Sequence, residues 1–353
     1  MITDLRLQYF RSYKDDAFEF DPGVNIIVGP NASGKTNLLE AILVLARGSS
    51  YRARDSELVG FGQPWARLDA HLNSGANRTV KLTPQEPVTK LYELDSKPYK
   101  RLNLDNNLPV VLFEPNHLRL LSGGPERRRD YLDDLLEQTE PGYGGLRRQY
   151  RRALAQRNAL LKRTGQPGAQ IFPWNIRLSE LAGQIVRARA RLTDRLNKKT
   201  GRLYRELSRA KTKVDLSYSG RWPAETYESH LLKKLEHDLE LDRARGFTGA
   251  GPHREDLAVL FDGRPAQETA SRGELRTVVL ALKILELELL EAARGTTPLL
   301  LLDDVFSELD GSRRHALTDY LASHQTFITT TDADLVLKHF VEKVNLILLQ
   351  NTA

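Results

Sequence analysis

The sequence predicts an α/β fold interrupted by a largely helical lobe, and three observations predict it. The apolar run Val24-Asn25-Ile26-Ile27-Val28 leads through a glycine loop into Asn37-Leu38-Leu39-Glu40-Ala41-Ile42-Leu43-Val44-Leu45, a helical stripe without a breaker. A second apolar run, Leu299-Leu300-Leu301-Leu302, ends in two carboxylates, Asp303 and Asp304. Between these, residues 121–246 shift to long helical patterns rich in arginine. Strand-to-helix units on both sides of a helical block imply one discontinuous α/β head, 1–120 with 247–353, and an inserted lobe, 121–246.

In chain order, residues 2–20 alternate apolar and polar positions (Leu5, Leu7, Tyr9, then Phe18, Phe20), which predicts two strands before the glycine loop. Short alternating runs at 66–72, 78–82 and 88–94, separated by Asn73-Ser74-Gly75, Pro84 and Pro87, predict an antiparallel meander. Residues 108–113 make a buried strand. In the lobe, Pro125 suits a helix start, with Tyr131, Leu132, Leu135 and Leu136 as its apolar stripe. A second helix covers about 146–163, and a polar link at 164–168 follows. The third, about 174–210, repeats Leu178, Leu181, Ile185, Ala188, Leu192 and Leu196 every three or four residues. A strand at 214–218 and a helix at 224–245 close the lobe. The head then resumes with a strand at 257–261, a helix at 273–293 and the strand at 298–303.

The loop Gly29-Pro30-Asn31-Ala32-Ser33-Gly34-Lys35-Thr36 fits G-x-x-x-x-G-K-[ST], in the strand–loop–helix setting that this phosphate-cradling pattern requires. Gly29 and Gly34 allow backbone angles that turn successive N–H groups towards an anion, and the helix start adds its positive end. Lys35 would reach the β- and γ-phosphates of a nucleotide, and the Thr36 hydroxyl would ligate Mg²⁺. The 299–303 strand would deliver Asp303 to that same Mg²⁺, and Asp304 stands where it could orient or deprotonate a water. Ser271-Arg272-Gly273-Glu274, 32 residues before Asp303, opens a helix and offers either a second anion-binding end or a plain cap. Asp310, before the 313–321 helix, likewise reads as a nucleotide contact or an N-cap.

The chain has 353 residues and no cysteine, which excludes disulfides and cysteine metal sites. Met1-Ile2-Thr3-Asp4-Leu5-Arg6 lacks the basic-then-apolar order of a secretory signal, and runs such as 298–302 are too short to span a bilayer. A cytoplasmic protein with no membrane partner is expected. Charge is unevenly spread. Residues 143–213 hold nineteen Lys and Arg against Glu180, Asp194 and Glu206, a balance of +16 in a chain of net +6, so the remainder carries −10. That asymmetry points to an acidic partner for the lobe, and nucleic acid is the usual one. Arg147, Arg148, Arg151, Arg152, Arg187, Arg191, Arg195 and Arg202 are the candidate phosphate contacts.

The order glycine loop, Ser-x-Gly-Glu, apolar strand ending Asp-Asp, then Ser307-Glu308-Leu309-Asp310 resembles that of the ABC ATPases. The helical interruption resembles the heads of SMC-type DNA-repair proteins, but is too short for their long coiled coils. The opening Leu5-x-Leu7-x-Tyr9-Phe10-Arg11-Ser12-Tyr13, the stretch from Pro115 to Asp133, Gly251-Pro252-His253-Arg254-Glu255-Asp256-Leu257, and the stretch from Leu301 to Leu317 are similar to motifs of the compact RecF family. Three positions depart from that pattern. Asn116 stands where an acid is preferred, Ala32 replaces a common loop glycine, and Thr330 or Thr331 occupies the region of the switch histidine.

The resemblance implies an ABC-type P-loop ATPase head with a mixed sheet and antiparallel meander, SMC-head-like without the coiled coil. It implies ATP and Mg²⁺ as cofactors, with Arg11, Ser12, Gly273 and Asp310 joining residues 29–36 as nucleotide contacts. Ser271 would face the γ-phosphate held by a second copy, giving an ATP-dependent homodimer that clamps double-stranded or gapped DNA. The partners implied are RecR and RecO, and through them RecA; hydrolysis would be weak and DNA-stimulated. Two other readings stand beside it: an ABC-type subunit whose insertion docks a protein partner, and a P-loop small-molecule kinase, which would leave Ser271 and Gly273 unexplained.

Overall fold

The computed structural model describes residues 1–350 apart from 86–87, 164–167, 322, 339 and 341–343. Pro87 and most of the link expected at 164–168 lie outside the described residues. The chain opens with β1 (Ile2–Phe10), β2 (Tyr13–Glu19) and β3 (Val24–Val28), then α1 (Lys35–Arg47). The meander is β4 (Ala66–Leu72), β5 (Asn77–Thr83), β6 (Thr89–Leu94) and β7 (Lys97–Tyr99), followed by β8 (Val110–Phe113). Helices α2 (Pro125–Thr139), α3 (Tyr143–Leu161) and α4 (Gly168–Ser208) come next, then β9 (Val214–Ser219), α5 (Tyr227–His237) and α6 (Leu239–Arg245). The rest is β10 (Asp256–Phe261), β11 (Arg264–Pro265), α7 (Ala266–Thr269), α8 (Arg272–Arg294), β12 (Leu299–Asp303), α9 (Val305–Glu308), α10 (Gly311–Leu321), β13 (Thr326–Thr330), α11 (Ala333–Leu337) and β14 (Asn345–Leu348).

Two compact units result, Met1–His117 with Glu286–Ala353, and Leu118–Leu285; the division falls within α8. The second is longer than the lobe drawn from composition, because β10 pairs antiparallel with β9, Leu257 opposite Tyr218, and so belongs to the lobe's own sheet.

The first unit holds two sheets. One is antiparallel, in the order β2-β1-β4-β5-β6-β7, and the other parallel, in the order β14-β3-β13-β12-β8. Helix α1 lies between them. Its Leu38, Leu39, Ile42 and Leu45 share one core with Leu5, Leu68 and Val80 of the first sheet and with Leu299, Leu301 and Phe327 of the second. Burial on all sides explains its near-continuous apolar sequence, each such side chain stabilising by about 1.5–3 kcal/mol.

The second unit packs α3, α4 and α5 around Tyr150, Leu178, Leu181, Ile185, Tyr227 and Leu231. Two local readings change here. Helix α4 begins at Gly168, with Pro173 inside it. The helix expected at 224–245 is two helices, because the chain turns at Asp238, whose carboxylate takes Lys234 and His237.

Candidate nucleotide site and basic lobe

The glycine loop grows out of β3, which is flanked in its sheet by β13 and β14. A Cβ on Gly29 would stand 2.4 Å from Ser33 Oγ and 2.7 Å from the Leu349 carbonyl, so no larger residue fits. Gly34 has φ +98° and its carbonyl accepts a hydrogen bond from Tyr13 at 3.0 Å. Ala32 also has φ +67°, a left-handed angle that burdens a side-chain-bearing residue by roughly 1–2 kcal/mol. That is the physical reason a glycine suits this position. Pro30, Asn31 and Ala32 form the exposed crest of the loop.

Three features of the loop fit an anionic ligand. The Ser33 hydroxyl is buried with no hydrogen-bond partner among the described residues. The start of α1 carries no side-chain cap, leaving first-turn N–H groups for an acceptor. The buried Lys35 ammonium donates to the carbonyls of Gly29 at 2.8 Å and Pro30 at 2.9 Å, neutral acceptors that an anion can replace.

The second half of the site comes from β12. Asp303 ends that strand in register with Thr329 of β13. Its Oδ1 accepts hydrogen bonds from Thr36 at 3.1 Å and Thr329 at 2.9 Å, and its Oδ2 accepts one from Tyr51 at 2.6 Å. Residues 267 positions apart, Thr36 and Asp303, thus meet directly. Asp304 takes φ +51°, and its N–H donates to Thr329 Oγ1 at 2.8 Å. Burial raises the Asp304 pKa, the neighbouring Asp303 charge raises it further, and Lys35 acts in the opposite direction. A carboxylate with increased proton affinity beside a phosphate loop suits a general base. Burial and the Asp303 charge likewise raise the Tyr51 pKa, so its hydroxyl remains a donor.

Beside this pair runs a network that includes Arg11 and Ser12, both expected as nucleotide contacts, and is centred on Glu40, which the sequence did not single out. Glu40, fully buried in α1, accepts two hydrogen bonds from Arg11, at 2.8 and 3.0 Å, one from Arg52 at 3.2 Å, and one from Ser50. Burial opposes its ionisation, but Arg11, Ser50 and Arg52 together hold its pKa below the usual value. Asn37 ties Ser12 to Arg52, donating to the serine at 2.8 Å and accepting from the guanidinium at 2.5 Å. Of these, Arg11, Ser12, Asn37 and Arg52 line a cavity of about 730 Å³ whose wall includes the fully exposed Phe61. The available sequence signal was a lone carboxylate, Glu40, inside an otherwise apolar helix.

Ser271 and Glu274 form a reciprocal capping box at the start of α8: the Ser271 N–H donates to Glu274 at 2.8 Å, and the Glu274 N–H to Ser271 Oγ at 3.3 Å. Ser271 and Gly273 both belong to the 118–285 unit. Asp310 caps α10, accepting from the Arg313 N–H at 3.0 Å and from Ser312 at 2.9 Å and pairing with the Arg313 guanidinium. Its carboxylate is therefore engaged in the capping role that was the second of its two readings.

The basic residues divide into two sets. Arg147 is 12% exposed and pairs with Asp130, Asp133, Asp134 and Glu137, so its charge is spent inside the lobe rather than offered to a partner. Arg187 pairs with Glu228, Arg191 with Glu140 and Arg202 with Glu206, each keeping solvent exposure. Arg148, Arg151, Arg152 and Arg195 are exposed. In the Arg127–Arg129 run, Arg128 is buried against Asp256 at 2.7 Å, and Arg129 donates to the Glu255 carbonyl at 2.8 Å. These arginines brace α2 on β10 within one unit.

The fold and the paired glycine-loop and aspartate strands define an SMC-type ABC ATPase head. The family model described as RecF/RecN/SMC N terminal domain matches residues 1–352. DNA replication and repair protein RecF of Heliobacterium modesticaldum is 36% identical over 342 residues, covering 94% of this chain and 92% of that protein. Among solved structures, the recombination mediator protein RecF-ATPrS in the RecFOR pathway superposes with TM-score 0.89 at 30% identity, covering 100% of this chain and 98% of that one. A second, RecF-ATP in the same pathway, gives TM-score 0.84 at 31% identity, covering 94% and 92%. The chain belongs to the RecF family of DNA replication and repair proteins. No helix among the described residues is long and apolar enough to cross a membrane.

Proposed function

We propose that this protein is a cytoplasmic, ATP-dependent DNA-binding clamp of bacterial recombinational repair. On this reading it dimerises on ATP and, with RecO and RecR, promotes RecA loading at gapped DNA; hydrolysis is weak, DNA-stimulated and serves as a switch. The observation that carries the reading is the 3.1 Å hydrogen bond from Thr36 to Asp303, which joins the two halves of a P-loop site. It occurs in a chain similar over its whole length to RecF-ATPrS and over 94% of it to RecF-ATP.

Residues 29–36 would hold the phosphates, through their N–H groups, the Ser33 hydroxyl and Lys35, with Arg11 and Ser12 alongside. Thr36 and Asp303 would hold Mg²⁺, which supplies charge neutralisation on the phosphates when bound. Asp304 would accept a proton from water. The cavity bounded by Asn37, Arg52 and Phe61 has the size and aromatic edge to receive the nucleoside. Ser271 and Gly273 would act on the nucleotide of a second copy, which gives a function to an exposed helix start. The 118–285 unit would meet DNA through Arg148, Arg151, Arg152 and Arg195, with Arg187, Arg191 and Arg202 exchanging their carboxylate partners for phosphates.

Light scattering with ATP or ADP and Mg²⁺, for the wild type and Ser271→Arg, tests this reading. A dimer with ATP alone, lost in a variant that still binds ATP, supports it. A monomer in every condition, with duplex DNA included, overturns the clamp.

A further inference from the structure

The loop that follows α1 is anchored residue by residue. The Ser50 hydroxyl donates to Glu40 and accepts the N–H groups of Arg52 and Ala53, both at 3.0 Å. The Arg52 guanidinium is held by Asn37 and Glu40. Tyr51 is therefore fixed on both sides by neighbours fastened to the first turns of α1. Its ring packs against the core between the two sheets. From that position its hydroxyl reaches not α1 but the end of β12, donating to Asp303 Oδ2 at 2.6 Å.

That contact differs from the other two on Asp303. Thr36 and Thr329 both converge on Oδ1. A carboxylate pinned at one oxygen can still swivel about its Cβ–Cγ bond, and a donor on the second oxygen fixes its plane. A phenol suits this task, since its ring has two side-chain torsions and its hydroxyl stands at a set distance from the backbone. The oxygen so held belongs to a carboxylate only 6% exposed, so water does not readily replace the donor.

We infer that Tyr51 is a positioning residue for the divalent cation, acting through the orientation of Asp303. This rests on the nucleotide reading above. Groups that orient a metal-holding carboxylate, without touching the metal, govern affinity by roughly 10–100-fold. Loss of the Tyr51 hydroxyl should therefore weaken the Mg²⁺ dependence of nucleotide binding and leave metal-free binding unchanged. A bond that merely satisfied a buried carboxylate would shift both together.

The test is equilibrium binding of a fluorescent ATP analogue to the full chain, in EDTA and across a Mg²⁺ titration, for the wild type and Tyr51→Phe. Phenylalanine keeps the ring and its packing, and thermal melting without nucleotide checks the fold. The expected result is an unchanged affinity in EDTA and a Mg²⁺ midpoint raised about tenfold or more. An unchanged midpoint overturns the role of Tyr51, as does an equal loss of affinity with and without Mg²⁺. Should the wild type show no Mg²⁺-dependent binding at all, the nucleotide reading fails and this one with it, which distinguishes the two failures.

Discussion

Lowering the pH from 7 to 5 should destabilise the 118–285 unit through one side chain, His253. The ring is held neutral at both nitrogens: Tyr150 donates to Nδ1 at 2.6 Å, and Nε2 donates to the Thr248 carbonyl at 3.1 Å. Burial is the main cause that pushes its pKa down to about 4; the Thr248 carbonyl works the other way, and the charges of Arg254, Arg129 and Arg189 lower it further. In the unfolded chain a histidine takes its proton near 6.5, so between about pH 6.5 and 4 the unfolded state binds more protons. The contribution of neutral His253 is thus complete above pH 6.5 and drains as the pH falls. It amounts to about 2 kcal/mol lost at pH 5 and about 3 kcal/mol at pH 4. Asp133 and Glu40, whose pKa values are held low, lose their contributions only as the pH falls below roughly 4, while Asp130, whose pKa burial raises, works in the opposite direction, so the comparison with a non-ionising variant is what separates the histidine. Urea unfolding followed by tryptophan fluorescence reads the effect, since Trp174 and Trp222 border the same core as Tyr150. With a slope of about 2 kcal/mol per molar urea, the wild-type midpoint should drop by about 1 M at pH 5. His253→Gln, which can donate and accept but not ionise, should show little of that drop. An equal drop in both proteins would refute the assignment.

Three further outcomes follow from the geometry. Gly34→Ala forces a side chain into φ +98° with its Cβ 2.9 Å from the Tyr13 hydroxyl, so it should lower stability by about 2 kcal/mol and abolish nucleotide binding, checked by melting and by titration calorimetry. Glu40→Gln removes the charge that gathers Arg11 and Arg52; stability should fall by about 1–3 kcal/mol, and nucleotide affinity should fall with it in the same calorimetric assay. Replacing Arg148, Arg151 and Arg152 together by alanine should leave the fold intact and flatten the plot of log affinity for duplex DNA against log salt by about 2.7, if each arginine meets one phosphate. Fluorescence anisotropy at several salt concentrations measures that slope.

The parts of the site that a reader of the sequence finds are the parts encoded locally. Gly29, Gly34, Lys35 and Thr36 must follow one another because a loop and a helix start make the cradle together. Asp303 is found because a buried strand in a parallel sheet reads as four leucines before a carboxylate. Tyr51 and Glu40 stayed hidden for the opposite reason: the partner of Tyr51 lies 252 positions away, and the carboxylate of Glu40, unusual among the apolar residues of its helix, does not name Arg11, 29 positions before it, as its partner. The arginine count misled in the same way. It took 143–213 as a closed segment, whereas Arg147 is neutralised among Asp130, Asp133, Asp134 and Glu137, Arg189 pairs with Asp133 and Arg157 with Asp242, acids that lie outside it. Helix periodicity located α3 and α4, but it carried no information that Arg157 would be wholly buried among Asn175, Asp242 and Thr248.

The place of β3 in its sheet sets an order of events during synthesis. Its two neighbours, β13 and β14, are translated about 300 residues after it. Until they emerge, the strand that ends in the glycine loop has unpaired edges, and β12, which reaches β3 only through β13, has nothing to seat Asp303 beside Thr36. The antiparallel meander and the 118–285 unit can each close on nearby contacts long before that. Competence to bind a nucleotide is therefore acquired late and in one step, when the C-terminal strands dock beside β3. A nascent or truncated chain lacking them would hold the whole motif and none of its function, so such fragments should not compete with finished copies for ATP.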